Sequence, residues 1–486
     1  MNPLLFTDGY KLDHRRQYPE GTTLVYSNWT PRKSRIEGIT DVVFFGLQYF
    51  IKKYLLEDFE TNFFRKPKAD VVAQYQRLIN NYLGPNRIGT AHIEALHDLG
   101  FIPMVFKALP EGTAVPMRMP MFTMYNTLPE FFWLTNYFET LLSAVVWLPC
   151  TSATIARSYR NLLDEYAEQT SSVPEFVNWQ GHDFSMRGMG GLEAALLSGA
   201  GHLLSFTGTD TFPVLPFLEQ YYGADSDTEL IGGSVAATEH SVMCMGTLED
   251  EVGTFRRLIT DVYPEGVLSI VSDTWDLWKV LTEYLPQLKE QVLNRNGKVV
   301  IRPDSGDPVK ILCGDPEASD EKVRKGVVQL LWDVFGGTVN DKGFKELDPH
   351  IGAIYGDSIT LERAKAICAQ LKANGFASTN VVLGIGSYTY QYNTRDTFGF
   401  AMKATYGEVA GDGRAIFKDP VTDDGTKKSA KGLLQLSLQD GGYQLLDEVS
   451  WNAEQTGELK EVFRDGKLLI DQRLSDIRAH LRMTHK

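Results

Sequence analysis

The amino-acid sequence predicts an α/β protein with a (β/α) barrel-like central domain of about seven strands. A discontinuous α+β domain, built from both ends of the chain, is predicted to flank it. Seven apolar runs in the middle of the chain each end in polar, charged or glycine residues, helical stretches separate several of them, and both chain ends contain short alternating segments. In a barrel, the loops at the carboxyl ends of such strands form the site. An open doubly wound sheet is the alternative, and it would also place ligands there.

The composition is that of a globular protein, and it restricts the kinds of partner. The chain has 486 residues, enough for roughly two or three domains, with 43% hydrophobic and 23% charged residues. Its four cysteines lack CxxC spacing, which disfavours a zinc site or a disulfide framework and suits a reducing compartment. The net charge of −14 makes the surface unsuited to nucleic acid or anionic membrane. A local basic pocket for a small anion remains compatible with it.

The first part of the chain mixes strands and helices. Alternating residues predict strands at Thr23–Trp29 and Val42–Phe45, and an amphipathic helix around Tyr49–Phe59. Proline and glycine punctuate a β-rich segment from Val105 to Pro120, and a long helical stretch follows from about Pro129 to Glu165. Its most apolar window contains Asn and Glu, which favours a buried helix over a membrane span. No targeting signal is visible, so we expect a cytoplasmic protein.

The central part contains the seven apolar runs. They are VNWQGHDF, LLSFTGTD, LIGGSVAATEH, LSIVSDTWD, VVIRPDSG, IGAIYGDS and VVLGIGS, which start at Val177, Leu203, Leu230, Leu268, Val299, Ile351 and Val381. After Arg395, alternating segments with tight turns predict an antiparallel sheet, and Ser475 is a candidate N-cap for a last helix. We therefore expect residues 1–150 and 396–486 to form the discontinuous domain and residues 151–395 the barrel-like domain.

Carboxylates recur where the runs end. Any one of these aspartates could cap a helix or form a turn, but five at equivalent positions indicate a site. Such a set could bind Mg²⁺, hold ribose hydroxyls or stabilise a developing cation. The five residues are Asp183, Asp210, Asp273, Asp304 and Asp357.

A histidine and two glycine-containing turns add further chemistry. His240 follows Glu239 at the end of a run; alone it could be structural, but this setting favours a nucleophile or a proton-transfer group. Gly386 and Ser387 at the end of the seventh run, and Gly356 near the end of the sixth, would let backbone N–H groups approach a phosphate. HExxH, GxSxG and Walker A segments are absent, so zincin, α/β-hydrolase and P-loop functions lack support.

Basic residues are concentrated near these turns in an otherwise acidic protein, which suits an anion site. For Lys428 and Lys431, a solvated loop is the alternative. They are Arg302, Arg395, Lys403, Lys418, Lys427, Lys428 and Lys431.

Several of these segments together resemble the type II phosphoribosyltransferases of the nicotinate phosphoribosyltransferase (NAPRTase) family, in particular the members that use nicotinamide. The resemblance runs from TDGYKLDHRRQYP near the start, through HDFSMRG, FTGTDT, SVAATEHS, SIVSD, IRPDSG, YGDS and TRD, to FKDPVTD. It implies that nicotinamide is joined to 5-phosphoribosyl 1-pyrophosphate, giving nicotinamide mononucleotide and pyrophosphate in NAD biosynthesis. The pyridine nitrogen would attack the anomeric carbon as pyrophosphate leaves, so catalysis would be positioning plus charge stabilisation.

The resemblance also implies a ring-binding pocket. The nicotinamide ring would stack between Phe184 and Tyr10 of the second subunit of a homodimer, with Arg187 in the same pocket. Asp210 would accept a hydrogen bond from the carboxamide and repel the carboxylate of nicotinate. Further residues implied to line the pocket or its approach are Ser234, Val235, Ser269 and Asp273.

For the second substrate, the resemblance implies that Arg302 and Asp304 hold the phosphoribosyl group. The 5′-phosphate and the pyrophosphate would be bound by Gly356, Gly386, Ser387, Arg395, Arg32, Lys403, Lys418 and Lys427, the last four partly from the second subunit. Mg²⁺ would be held mainly by substrate phosphates, with Asp304 or Asp357 as candidate ligands. His240 would be phosphorylated by ATP. The implied catalytic residues are His240, Asp304, Arg302 and Asp273.

Other functions remain open. A nicotinate phosphoribosyltransferase would share the fold and reaction, but Asp210 argues against an acid substrate. Quinolinate phosphoribosyltransferase would need extra cations near the ring motifs, and the sequence lacks them. A catalytically silent scaffold protein is a third possibility, which retention of Arg302 and Asp304 disfavours. The absence of a GxGxxG segment after the first strand disfavours a dinucleotide-binding oxidoreductase.

Overall fold

Strands and helices alternate along most of the chain. The computed structural model describes residues 1–84, 88–356, 358–422 and 428–483. The strands are β1 Thr22–Thr30, β2 Asp41–Val43, β3 Met104–Ala108, β4 Ala114–Pro116, β5 Phe122–Asn126, β6 Gly181–Asp183, β7 Gly208–Thr209, β8 Ala236–Ala237, β9 Glu265–Val271, β10 Asn296–Arg302, β11 Gly337–Val339, β12 Lys345–Leu347, β13 Ile351–Tyr355, β14 Val381–Ile385, β15 Ala401–Val409, β16 Asp412–Ala415, β17 Leu433–Gln439, β18 Gly442–Val449, β19 Lys460–Arg464 and β20 Lys467–Leu468.

The α-helices vary from single turns to one of 32 residues. They are α1 His14–Gln17, α2 Leu47–Phe50, α3 Lys68–Leu83, α4 Ala91–Leu99, α5 Leu134–Tyr137, α6 Glu139–Thr170, α7 Val177–Gln180, α8 Leu192–His202, α9 Val214–Tyr222, α10 His240–Met245, α11 Glu251–Arg257, α12 Leu277–Lys279, α13 Leu285–Gln287, α14 Lys289–Leu293, α15 Pro308–Cys313, α16 Glu321–Phe335, α17 Leu361–Ala373, α18 Ser387–Tyr390, α19 Trp451–Glu454 and α20 Leu474–Met483. Short 3-10 and π-helical turns extend or join several of them, as at Ile51–Asp58, which continues α2.

The chain divides into two compact units. The terminal unit comprises Met1–Thr154, Pro216–Ala224 and Asn393–Lys486, and the central unit comprises Ile155–Leu215 and Asp225–Tyr392. Among the described helices, α6 is long and apolar enough to cross a membrane, but 78% of its apolar window is buried inside the protein. That burial is typical of a core helix.

An antiparallel sheet in the terminal unit contains strands from both chain ends. Its strand order is β16-β15-β1-β5-β3-β19-β20, so β1 lies between β5 and the C-terminal strand β15. The pairing of β1 with β15 extends from Thr22 opposite Val409 to Thr30 opposite Ala401. In the core, the ring of Trp29 stacks on Phe400 with 5.5 Å between centroids. The predicted α+β domain from both chain ends is confirmed.

The central unit contains a curled parallel sheet to which each of the seven apolar runs contributes one strand. The strand order is β7-β6-β14-β13-β10-β9-β8, and every pairing is parallel. Numbered by run, the order is 2-1-7-6-5-4-3, a cyclic sequence without the reversal of a doubly wound sheet. Backbone hydrogen bonds join Gly233, just before β8, to Thr207 and Thr209 around β7, at 2.8 and 2.9 Å. The barrel-like architecture is therefore confirmed.

Burial explains why the runs are apolar throughout. All five residues of β13 are buried, and in β14 only Val382 is partly exposed. Parallel strands covered on both faces have continuous apolar sequences, unlike the alternating strands of a half-exposed sheet. Neighbouring strands can also end at the same level in the sheet. Strands β9 and β10 pair over seven residues and end together at Val271 and Arg302. Residues that follow these two strands therefore emerge side by side.

Three runs contain less strand than their sequences predict. The first starts as helix α7, because the 3-10 turn that Pro174 begins continues into it. The strands of the second and third runs are two residues long, β7 and β8. In β7 the Gly208 backbone lies close to the His182 side chain, since an added Cβ would be 2.7 Å from Nδ1 of His182. The predicted N-cap Ser475 is wrong: helix α20 begins one residue earlier, at Leu474.

Candidate active site

Carboxylates follow the carboxyl ends of the central sheet, as the sequence predicts. The amide of Ser272, after β9, donates to the carbonyl of Arg302 at the end of β10 at 3.0 Å. This bond holds the two following loops level with each other. The described aspartates at these ends are Asp183 in β6, Asp210 after β7, Asp273 after β9 and Asp304 after β10. Asp357 lies outside the described residues.

A cavity of about 370 Å³ opens among these strand ends in the central unit. It extends between the strands as far as Lys298 and Ile351, near the starts of β10 and β13. Most of its wall is apolar. The predicted ring-binding residues that line it are Phe184, Asp210, Ser234, Val235 and Ser269.

The position of Phe184 depends on a glycine in the neighbouring strand. The Phe184 amide donates to the carbonyl of Ile385 at 3.0 Å, which extends the pairing of β6 with β14. A Cβ on Gly384 would lie 2.6 Å from Cδ2 of Phe184. The absence of a side chain there therefore gives the phenylalanine ring its space. The ring of His182, two residues earlier on the same strand, lies 4.6 Å from it between centroids.

Asp210 is held as a carboxylate facing the cavity. Its Oδ1 atom accepts hydrogen bonds from Nε2 of His182 at 2.8 Å and from Oγ of Ser234 at 2.5 Å. Burial alone would raise the pKa of this carboxyl group, but the two hydrogen bonds and the charges of His182 and Arg302 outweigh it. The net result is a pKa below the ordinary aspartate value. The side chain is still 42% exposed, so a ligand in the cavity can reach it.

A second cavity, of about 300 Å³, adjoins the first. Phe184, Asp210 and Arg302 line both cavities, so a group bound in one would lie against a group bound in the other. The wall of the second cavity is mainly polar. Its further lining residues are Arg187, Asp304, Gly356, Ser358, Gly386, Ser387 and Tyr388.

Two charged residues of opposite sign meet in this second cavity. Arg302 donates from its guanidinium to the carbonyl of Thr238 at 2.5 Å, and its buried Nε has no partner among the described residues. A guanidinium with a spare N–H suits an anionic group. Asp304 lies against Gly356, where an added Cβ would be 2.5 Å from Oδ1 of Asp304. The glycine thus brings backbone and carboxylate together at the cavity wall.

His240 lies beside Asp273 at the edge of the same group of loops. Oδ2 of Asp273 accepts from the amide of Asp304 at 2.9 Å and from Oγ of Ser305 at 2.6 Å. Its buried Oδ1 has no hydrogen-bond partner in the described part of the chain and lies 4.0 Å from Nε2 of His240. Nδ1 of His240 is 3.1 Å from Oγ1 of Thr274. The imidazole is 49% exposed, so Nε2 faces a carboxylate and is open to solvent.

The remaining predicted cations are in the terminal unit. Burial lowers the pKa of Lys403, and repulsion from Arg32, Lys418 and Arg395 lowers it further. The charges of these three residues therefore act on Lys403. Lys427 lies outside the described residues. Tyr10, also in the terminal unit, exposes 64% of its surface.

The role of His182 and much of the cavity wall were not predicted from the sequence. His182 precedes Phe184 by two residues, and side chains two apart on a strand share a face. That spacing was the available signal. Phe176, Trp179 and Lys298 also line the first cavity. Lys298 is half-buried, and burial lowers its pKa. Its sequence context, at the start of a strand, gave no sign of this position.

The donor set favours binding of an anion over direct binding of a metal. Among the residues that the structure describes, no three His, Cys, Asp or Glu side chains are grouped as metal ligands. The Asp304 carboxylate lines the second cavity, and carboxylate oxygen is the ligand that Mg²⁺ prefers. A Mg²⁺ ion that arrives with a polyphosphate therefore fits these residues. Together the two cavities can hold a small amide-bearing ring next to an anionic group.

Comparison with known proteins agrees with this geometry. Residues 179–467 match the nicotinate phosphoribosyltransferase (NAPRTase) family, and residues 2–83 match the N-terminal domain of nicotinamide phosphoribosyltransferase. A nicotinamide phosphoribosyltransferase of Acinetobacter baylyi is 55% identical over 99% of this chain and 97% of its own. One from Mycoplasma pneumoniae is 38% identical over 88% of this chain and 94% of its own.

Solved structures share the fold at low sequence identity. A nicotinate-nucleotide pyrophosphorylase from Pyrococcus furiosus has a TM-score of 0.59 and 12% identity, over 99% of this chain and 95% of that one. Human nicotinic acid phosphoribosyltransferase has a TM-score of 0.55 and 15% identity, over 99% of this chain and 93% of that one. With the family match covering more than half of the sequence, the chain belongs to the nicotinate phosphoribosyltransferase family.

Proposed function

We propose that this protein joins nicotinamide to 5-phosphoribosyl 1-pyrophosphate, giving nicotinamide mononucleotide and pyrophosphate. The observation that carries the choice of nicotinamide is the ionised Asp210, fixed by His182 and Ser234 beside Phe184. A carboxylate there accepts a hydrogen bond from a carboxamide NH₂ and repels a second carboxylate. The names of the bacterial relatives support the same substrate.

The two cavities suit a displacement at the sugar. The ring would stack on Phe184 in the first cavity, with its amide at Asp210 and its nitrogen directed toward the second cavity. The anomeric carbon would lie where the cavities adjoin, near Arg302. The pyridine nitrogen forms the new C–N bond while the bond to pyrophosphate breaks, so no protein nucleophile is required. The protein would contribute orientation and stabilise charge on both sides of the sugar.

The second cavity would bind the phosphoribosyl group. Arg302 offers a spare N–H to an anionic oxygen, and Asp304 would hold ribose hydroxyls or Mg²⁺. The backbone at Gly356 and Gly386 would receive the 5′-phosphate, with Ser387 beside it. A Mg²⁺ ion bound by the substrate phosphates, with Asp304 as its candidate protein ligand, would neutralise charge on the leaving pyrophosphate.

We infer that the working form is a homodimer with shared sites. Tyr10 is an exposed aromatic residue, as a residue that completes a neighbour's site would be in a single chain. Arg32, Arg395 and Lys418 each repel Lys403, so a bound pyrophosphate would relieve an unfavourable charge. In this proposal the second copy of the chain supplies Tyr10 and part of the cationic group.

We also propose that ATP phosphorylates His240. The exposed Nε2 would attack the γ-phosphorus and ADP would leave, while Thr274 contacts the other ring nitrogen. Hydrolysis of the phosphohistidine would then release phosphate. Asp273, 4.0 Å from Nε2, would orient the imidazole and stabilise its positive charge.

A paired assay tests the proposed function. Purified protein with Mg²⁺ and phosphoribosyl pyrophosphate would receive nicotinamide or nicotinic acid, each with and without ATP, and mononucleotide formation would be measured. We expect a strong preference for nicotinamide and stimulation by ATP. Preference for nicotinic acid would overturn the role of Asp210 while leaving the reaction intact. Lack of product from both bases would favour a scaffold protein.

A further inference from the structure

A buried pair of side chains connects the loop of the second cavity with the strand that leads to Asp210. His202 is the last residue of α8 and Tyr390 the last of α18, and both are fully buried. Nδ1 of His202 lies 2.7 Å from the Tyr390 hydroxyl, and Nε2 lies 3.0 Å from the carbonyl oxygen of Gly208. Neither His202 nor Tyr390 is among the site residues described above.

The direction of both hydrogen bonds is determined by their chemistry. A backbone carbonyl can only accept, so Nε2 of His202 must carry a proton and donate to Gly208. Burial lowers the pKa of His202 to about 4, which keeps the ring neutral near pH 7. Nδ1 is then unprotonated and accepts from the Tyr390 hydroxyl. The two hydrogen bonds therefore form one oriented hydrogen-bond chain, from Tyr390 through His202 to Gly208.

Each end of this chain is next to one of the two cavities. Gly208 pairs with His182 across β7 and β6, and His182 in turn donates to Asp210. At the other end, Tyr390 closes the helix that starts at Ser387, and its amide donates to the Gly386 carbonyl at 3.4 Å. One end of the hydrogen-bond chain thus contacts the wall of the first cavity. The other end contacts the glycine turn of the second cavity.

Further contacts support the strand end near the pair and the imidazole itself. The fully buried Asp183 accepts from Thr211 Oγ1 at 2.7 Å, from Thr209 Oγ1 at 3.2 Å and from the Ser185 amide at 2.9 Å. The ring of Phe206 stacks on His202 with 5.1 Å between centroids. These contacts support the strand end and pack a ring against one face of the imidazole.

We propose that His202 and Tyr390 are positioning residues that set the separation between the first cavity and the glycine turn at Gly386 in the second cavity. The inference rests on the proposed transfer of a phosphoribosyl group. In that reaction a misplacement of about 1 Å between the ring nitrogen and the anomeric carbon can cost about a hundredfold in rate. Neither residue would touch a substrate. Their loss should therefore slow the chemical step more than it weakens the binding of either substrate alone.

The test uses Tyr390→Phe, His202→Gln and the double variant of the full-length protein. Phenylalanine removes only the hydroxyl, and glutamine can still donate to Gly208 while it loses the Nδ1 acceptor. Tyr221→Phe is the matched control, because it removes a buried tyrosine hydroxyl that bonds Glu57 at 3.1 Å in the terminal unit. For each protein, kcat, both KM values and the thermal unfolding midpoint would be measured with nicotinamide and phosphoribosyl pyrophosphate.

We expect each single variant to lower kcat about tenfold to a hundredfold, with both KM values within about twofold of the wild type. The double variant should be no slower than the worse single variant, because both changes break one chain. Tyr221→Phe should keep wild-type kcat. Multiplying effects in the double variant, a rise confined to one KM, or unchanged kcat would each overturn the inference. Inactive wild-type protein would overturn the proposed function and this inference with it.

Discussion

At the scale of single residues, the selection of substrate depends on one oxygen atom. Oδ1 of Asp210 accepts from both His182 and Ser234, which keeps the carboxyl group ionised and fixes its direction. A neutral side chain in the same place would lose the repulsion of an acid substrate without changing the shape of the cavity. The discrimination between amide and acid is therefore separable from the reaction itself.

Asp210→Asn should relax the discrimination against nicotinate. We expect the ratio of kcat/KM for nicotinate to that for nicotinamide to rise at least about tenfold, because a like-charge contact that costs 1.4 kcal/mol or more is removed. The measurement is mononucleotide formation from each base. Asp227→Asn, the same charge change at an exposed position of the central unit, is the control. An unchanged ratio would refute our account of specificity.

His240→Ala should suppress ATP hydrolysis more than transfer without ATP. The imidazole is the exposed nucleophile in our proposal, whereas transfer itself needs only the two cavities. The measurements are phosphate release from ATP, mononucleotide formation without ATP, and acid-labile phosphate on the protein from labelled ATP. Equal loss of both activities would give His240 a wider role than ATP coupling.

At the scale of elements, the packing of β14 against β6 decides where the ring pocket lies. Gly384→Ala would place Cβ 2.6 Å from the Phe184 ring, and this overpacking would cost about 1–3 kcal/mol. We expect kcat/KM for nicotinamide to fall about tenfold or more. Gly442→Ala in β18 of the terminal unit is the control, because it is also a strand glycine and its added Cβ would meet only the Gln439 carbonyl oxygen, at 3.7 Å. Similar kinetics for the two variants would contradict a specific requirement for glycine at 384.

Glu111 links the first turn of α2 to the pH dependence of stability. Its buried carboxylate accepts from the Gln48 amide at 2.7 Å, and burial raises its pKa to about 7. Between the unfolded value of 4.5 and about 7, the folded state holds a proton that the unfolded state has lost. This difference means that stability falls as pH rises through that window.

Glu111→Gln should therefore make the free energy of unfolding less dependent on pH. We expect the wild type to lose on the order of 3 kcal/mol more unfolding free energy than the variant between pH 5 and pH 8. Urea unfolding at the two pH values measures it. Glu20→Gln, at an exposed position, is the control. Parallel pH profiles for Glu111→Gln and the wild type would show that burial of this carboxyl group does not control the dependence.

The elements also show what the sequence can predict. Runs such as IGAIY and VVLGI are apolar because parallel strands are covered on both faces, and they predicted β13 and β14 closely. The two-residue strands β7 and β8 could not be delimited, because they are defined by pairing with β6 and β9, which are distant from them in the sequence. The contact between His182 and Asp210 joins residues 28 apart, and only the parallel pairing of β6 and β7 brings them together.

At the scale of the whole molecule, the net charge bears on how a polyphosphate is bound and on which subunits bind it. A net charge of −14 would repel a polyphosphate, so the cations near Lys403 must act at short range. If a second copy of the chain supplies Tyr10 and part of this group, each site needs both subunits. The proposal can then be tested by combining chains with different defects.

Mixed dimers of Tyr10→Ala and Asp304→Ala chains should recover activity that each variant alone lacks. Each mixed dimer would hold one undamaged site and one doubly damaged site, so we expect about half of the wild-type turnover per dimer. Co-expression with two different affinity tags and sequential purification would isolate it. Two wild-type chains with the same tags are the control. Mixed protein as inactive as its parents would exclude sites shared in this way.

The antiparallel sheet that unites both chain ends has a consequence for biosynthesis. Thr23 in β1 contacts Glu408 in β15, 385 residues later in the sequence. At about 5–20 residues per second, a ribosome needs on the order of tens of seconds between the two strands. Throughout that time β1, in which Val25 to Trp29 are buried in the finished fold, lacks one of its two neighbours and could pair with other nascent chains. We expect production in a cell to depend on how well chaperones protect this N-terminal segment until translation is complete.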